Sequence, residues 1–95
     1  MLNGLTDMQM VSFDLLDSDD EQAFYQQFAV KFSLDEFGNN LDALWDVLTA
    51  GVALPLRITL RHLSRHPAEE ALQRIVHVMQ EAEQETHGAF SVRVY

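Results

Sequence analysis

Three short runs with strand character stand far apart in this chain, and helical periodicity fills the intervals between them. The first is apolar with Val and Phe, roughly Met10 to Leu15. The second, Leu56-Arg57-Ile58-Thr59-Leu60, alternates apolar with polar side chains. The third, Ala89 to Tyr95, also alternates and puts Phe90, Val92 and Val94 on one face. Alternation at period 2 with β-branched content reads as a strand. Strands separated by helices pair in parallel through right-handed crossovers. The expected fold class is α/β, a small three-stranded parallel sheet with helices packed on it, in one domain over residues 1–95. Residues 1–7 lack periodicity and contain Gly4, so a weakly ordered end is expected there.

The intervals supply three helices. Ser18-Asp19-Asp20-Glu21 reads as a capping box, with Ser18 and Glu21 bonding each other's N–H groups. The helix after it should run to about Phe32, with Ala23, Phe24, Phe28 and Phe32 inward and Tyr25 and Val30 flanking. The same acids superficially suggest a calcium loop. Gln22 stands where that loop needs Gly and Phe28 where it needs Glu, which excludes it. Gly38-Asn39-Asn40 can turn the chain, and Asn40 is a good N-cap for a second helix from Leu41 to about Ala50, ended by Gly51. The third helix has Pro67 in its first turn, an apolar stripe of Leu72, Ile75, Val76, Met79 and Ala82, and Gly88 as its stop. Arg61 to His66 is ambiguous, with one helical turn possible. His62 and His66 would be i, i+4 there, but no third ligand is nearby, so surface histidines are the better reading than a metal site.

The second helix is the most informative. Leu41, Leu44, Trp45 and Leu48 make one apolar face, on which most of the Trp45 ring should be buried. Asp42 and Asp46 lie four residues apart on a separate flank. Asp42 sits in the first turn, where the helix dipole favours a negative charge. Asp46 lies beyond it and, beside a like charge, costs the isolated helix roughly 0.2–0.5 kcal/mol. A solvated face is the plain reading; a binding face for something cationic is the sharper one.

Charge distribution leans toward the second. Residues 1–50 hold ten acids and one base, Lys31, whereas residues 51–95 hold five acids and five Arg. The net charge of −9 therefore resides in the first half. That opposes nucleic-acid binding and suits a partner with a positive surface, although solubility alone would also explain an acidic surface. Cys is absent, which fits a reducing compartment. Neither a signal peptide nor a membrane helix is expected, so the expected location is cytoplasmic.

The run Phe37-Gly38-Asn39-Asn40-Leu41-Asp42-Ala43-Leu44-Trp45-Asp46-Val47-Leu48-Thr49, continuing loosely through Pro55-Leu56, resembles the barstar family of intracellular ribonuclease inhibitors. The resemblance implies the α/β fold above, with the first strand central. It also implies that the acidic helix and its preceding loop plug the cationic active site of a guanyl-specific ribonuclease. By that resemblance Asp46 matches the central phosphate-mimicking acid and Asp42 a second acidic contact. Asn40 and Thr49 match flanking polar contacts, Glu81 a peripheral acid, and Trp45 a largely structural residue. Two departures stand out. Glu36 and Gly51 occupy positions where the family prototype has Tyr and Trp.

The expected function is a barstar-like inhibitor of such a ribonuclease, monomeric when free, with no cofactor and no metal. The alternative is a non-inhibitory acidic module docking on another basic protein. An enzyme is not expected, because no Cys, Ser–His arrangement or Gly-rich phosphate loop accompanies Asp42 and Asp46.

Overall fold

The computed structural model describes residues 8–95, so the expectation for residues 1–7 lies outside the described residues. Strand β1 is Gln9–Asp14, helix α1 is Glu21–Lys31 and helix α2 is Leu41–Asp46. Strand β2 is Leu56–Arg61, helix α3 is Glu69–Glu85 and strand β3 is Phe90–Val94. Both strand pairs are parallel, with Val11 beside Ile58 and Ile58 beside Val92. The expected three-stranded parallel sheet with packed helices is therefore present.

Strand order differs from what the resemblance implied. β2, not β1, is central. Its residues Leu56, Ile58 and Leu60 are all at most 1% exposed, whereas β1 begins with exposed Gln9 and Met10. The most completely covered strand takes the middle. Because the strands follow chain order, two crossovers of the same hand place the helices on one face. Burial agrees: Phe13, Leu56, Ile58, Leu60, Phe90 and Val92 join Phe24, Phe28, Leu44, Leu48, Leu72, Ile75 and Met79 in one core. The alternate residues, among them Ser12, Thr59 and Arg93, lie on the other face.

Helix ends shifted where tertiary contacts compete with local signals. The cap of α1 is Asp20, whose carboxylate accepts the Ala23 N–H at 2.9 Å, not Ser18. Ser18 is 1% exposed, and its carbonyl accepts a hydrogen bond from His66 Nε2. His66 is 6% exposed, not a surface histidine. Its Nδ1 accepts the Ala68 N–H at 2.9 Å, so Nε2 must carry the proton. One ring thus joins the segment before α1 to the start of α3. The helix begins at Glu69, two residues after Pro67, with Ala68 as its N-cap residue and no side-chain cap bond. His62, in contrast, is half-exposed in a left-handed conformation, φ 70°. Its Nδ1 lies 2.9 Å from Asp14 Oδ1. Among the described residues no group of three or more metal-ligating side chains forms.

Two measurements follow. His66→Ala leaves the Ser18 carbonyl and the Ala68 N–H without partners, and each such loss costs about 1–3 kcal/mol. Chemical denaturation should show a loss of about 2–6 kcal/mol with an unchanged m-value. Asp14 titrates below its ordinary 3.8, chiefly through the hydrogen bond to His62 and then the Leu16 N–H. A carboxyl depressed in the folded state adds stability above its unfolded pKa, lost as pH falls through the folded one. Carbon-detected NMR should place the Asp14 midpoint below 3.8 and show it moving up in His62→Ala.

Candidate functional site

The stretch before α2 is fixed by one aromatic side chain. Phe37 packs against Phe28 at 5.4 Å between ring centroids and edge-on to Tyr25 at 5.9 Å. Burial and the neighbouring Glu21 carboxylate push the Tyr25 phenol up to about 12, so it stays neutral and donates weakly to Glu21 at 3.4 Å. With Phe37 held inward, Glu36 and Gly38 are turned to solvent. A Cβ on Gly38 would stand 3.3 Å from both Ala43 Cβ and Asn40 Nδ2, closer than side chains normally pack. That close approach brings the loop onto the first turn of α2.

Asn40 is committed within this turn. Its Oδ1 accepts the Ala43 N–H at 2.7 Å and its Nδ2 donates to the Gly38 carbonyl at 3.2 Å. The helix then departs from expectation. From Val47 to Gly51 it widens into a π turn rather than continuing as α-helix to Ala50. The Thr49 hydroxyl donates to the Trp45 carbonyl at 2.8 Å, meeting one of the carbonyls at the widened turn. Gly51 lacks the left-handed conformation expected of a helix-ending glycine; that role appears at Gly88, φ 86°.

The two acids open onto different grooves. Asp42 lines a groove of about 510 Å³ between α2 and α3 with Leu41, Trp45, Val78, Glu81, Gln84 and Glu85. Asp46 lines a groove of about 390 Å³ on the loop side, with Asp35, Glu36, Phe37 and Gly38 among its walls. Trp45 is half-buried, packing on the core while lining the first groove. The fold thus brings Asp42 and Glu81 together and sets Asp46 beside the loop. Asn40 stands at the helix start, and Thr49 lines neither groove.

Asp35 and Glu85 were not singled out in the sequence. Glu85 lies one turn after Glu81 on the exposed side of α3, a spacing that could have flagged it. Among the described residues no lysine or arginine lines either groove. Among the described residues the one ion pair made by these acids is Glu81 with His77, 3.5 Å apart and largely exposed. Unpaired carboxylates on both flanks of one short helix give a surface of a single sign, suited to accept charge-assisted hydrogen bonds from guanidinium or imidazolium groups.

A family model described as "Barstar (barnase inhibitor)" matches residues 8–95. A protein of Bacillus subtilis (strain 168) named "Putative ribonuclease inhibitor YrdF" is 38% identical over 60 residues, covering 61% of this chain. The match spans 66% of that relative, just under two thirds of its length.

Asn40→Ala should cost about 1 kcal/mol of stability by removing the cap. Asn40→Asp keeps the acceptor for Ala43 and loses the bond to Gly38, so it should cost less. Thermal unfolding of the two variants checks the order.

Proposed function

The chain belongs to the barstar family, and from that membership we infer that it inhibits a guanyl-specific ribonuclease by occupying the active site with α2 and the preceding loop. One observation supports this reading most: Asp42 and Asp46 open onto two grooves lined by further acids and, among the described residues, by no lysine or arginine. A ribonuclease active site is cationic because it holds a phosphate. Asp46 would take the place of that phosphate and accept hydrogen bonds from its arginine and histidine side chains. Asp42, with Glu81 and Glu85, would receive a second cationic side chain in the α2–α3 groove. Asn40 and Thr49 would act at the edges of this contact, and their local bonds would fix the backbone that carries the acids. The protein would be cytoplasmic and monomeric until bound, with no enzymatic activity of its own.

A second reading keeps the face and changes the target. Glu36 and Gly51 are exposed where the family prototype has aromatic residues. A rim with an added acid and without those rings suits a more basic partner with a less apolar border. That partner would be another basic protein, bound without inhibition.

Calorimetry against a secreted guanyl-specific ribonuclease, with its activity measured in parallel, separates the readings. The inhibitor reading expects binding and loss of activity together. Asp46→Ala should then weaken binding by 2 kcal/mol or more, about thirtyfold, the usual hot-spot threshold, for which this family is itself a type example. Folding should be nearly unchanged, and association should slow as salt rises, because screening shortens electrostatic reach to ~8 Å at physiological strength. Wild-type affinity retained in Asp46→Ala would exclude the α2 face, and absence of binding by the folded wild type would favour the second target.

A further inference from the structure

Half of the cationic side chains stand on the opposite side of the molecule. The sheet face without helices carries Arg57, Arg61 and Arg93, three of the chain's six Lys and Arg residues. None of them is in an ion pair among the described residues. Arg57 donates from Nε to Ser91 Oγ at 3.3 Å, and Arg93 donates to the Val92 carbonyl at 3.1 Å. Arg61 is exposed and has neither kind of bond among the described residues.

Toward the end of β2 this face sinks into a concavity of about 520 Å³ lined by Ser12, Thr59, Arg61, His62 and Tyr95. Ser12 and Thr59 are cross-strand neighbours, so two hydroxyls come from adjacent strands. His62 is fixed from three directions. Its own N–H and that of Leu63 donate to the Tyr95 carbonyl, at 3.1 and 3.3 Å. Its Nδ1 is engaged by Asp14 at 2.9 Å. Its left-handed backbone is uncommon for a residue with a side chain and persists here because these bonds impose it. With Nδ1–H donating to Asp14, Nε2 of the neutral ring is an acceptor, so toward a phosphate it accepts from a phosphate O–H, or donates once the ring is protonated. Among the described residues Asp14 is the one carboxylate side chain on this sheet face, and His62 already faces it.

We propose that this concavity binds the phosphate group of a small phosphomonoester. A guanidinium, an imidazole and hydroxyls from two strands surround one space from different directions, which matches a tetrahedral oxyanion better than a planar carboxylate. The Tyr95 ring, 71% exposed at the rim, offers a flat surface to whatever the phosphate carries. A polynucleotide is disfavoured, because the −9 charge of the chain repels an extended polyanion. The site lies away from α2 and does not depend on the inhibitor reading.

NMR titration of the full chain in phosphate-free buffer tests the proposal. Inorganic phosphate and a nucleoside 5′-monophosphate are added separately to the wild type, Arg61→Ala, Thr59→Val and Asp46→Ala. The expected result is saturable shifts at the amides of Ser12, Thr59, Arg61 and His62, with affinity about tenfold or more lower in Arg61→Ala. Asp46→Ala should bind as the wild type does. Thr59→Val, close in shape, gives a second reading if Arg61→Ala loses its fold. Tighter binding of the nucleotide would add the Tyr95 ring to the site; equal binding would restrict recognition to the phosphate. No saturable shift at these residues with either probe, or unchanged affinity in both site variants, would overturn the proposal.

Discussion

The arrangement of this protein depends on a sheet whose strands lie in chain order. β2 pairs with β1 on one edge and β3 on the other, and the crossovers return over the same face. Apart from exposed Met10, the apolar sheet residues then point one way. Leu56, Ile58 and Leu60 meet the helices, and Arg57, Thr59 and Arg61 are left for the opposite side. A doubly covered sheet would bury both faces and could not afford arginines on either. The same topology sets α2 against α3 in the helical layer, where its outer flank is free to carry unpaired acids.

α2 could not hold that position alone. Six residues of α-helix and one π turn fall well short of the length at which helices become stable in water. Leu44 and Leu48, both fully buried, attach it to the core, and Asn40 meets one of its open N–H groups. Phe37 anchors the approach to it among aromatic rings. These contacts offset the repulsion between acids held on one short helix and its loop. They also settle beforehand much of the ordering that a partner would otherwise have to impose, so more of the contact energy remains for binding.

Most elements were legible because their signals are local. The stripe from Leu72 to Ala82 gave α3, alternation gave β2 and β3, and Asn40 gave the start of α2. What escaped the sequence depends on residues far apart. Ser18 looks like a cap, but its backbone is held by Leu15 and by His66, 48 residues away, and the Asp20 carboxylate caps α1 instead. Periodicity assigns strands but not their order, so nothing local could place β2 in the centre. The π turn has no spacing rule of its own; the Thr49 hydroxyl on the Trp45 carbonyl accompanies it. Asp42 and Asp46 were visible as a flank, whereas the grooves beside them are made with α3 and the loop. That is why Asp35 became apparent only in three dimensions, whereas Glu85 could have been flagged by its spacing from Glu81.

The two charged faces sit across a sheet and a helical layer. One such layer spacing is about 10 Å, already beyond the ~8 Å over which charges act at physiological salt. Each face therefore acts at short range largely on its own. At lower salt they act together as a dipole: the acidic side draws a cationic partner and the arginines turn it away from the sheet, so encounter is biased toward the α2 face. An anion experiences the reverse bias but must first approach a chain of net charge −9. On the proposed readings the α2 face would draw a cationic protein at long range, and the arginine face would be left to a small anion recognised on contact.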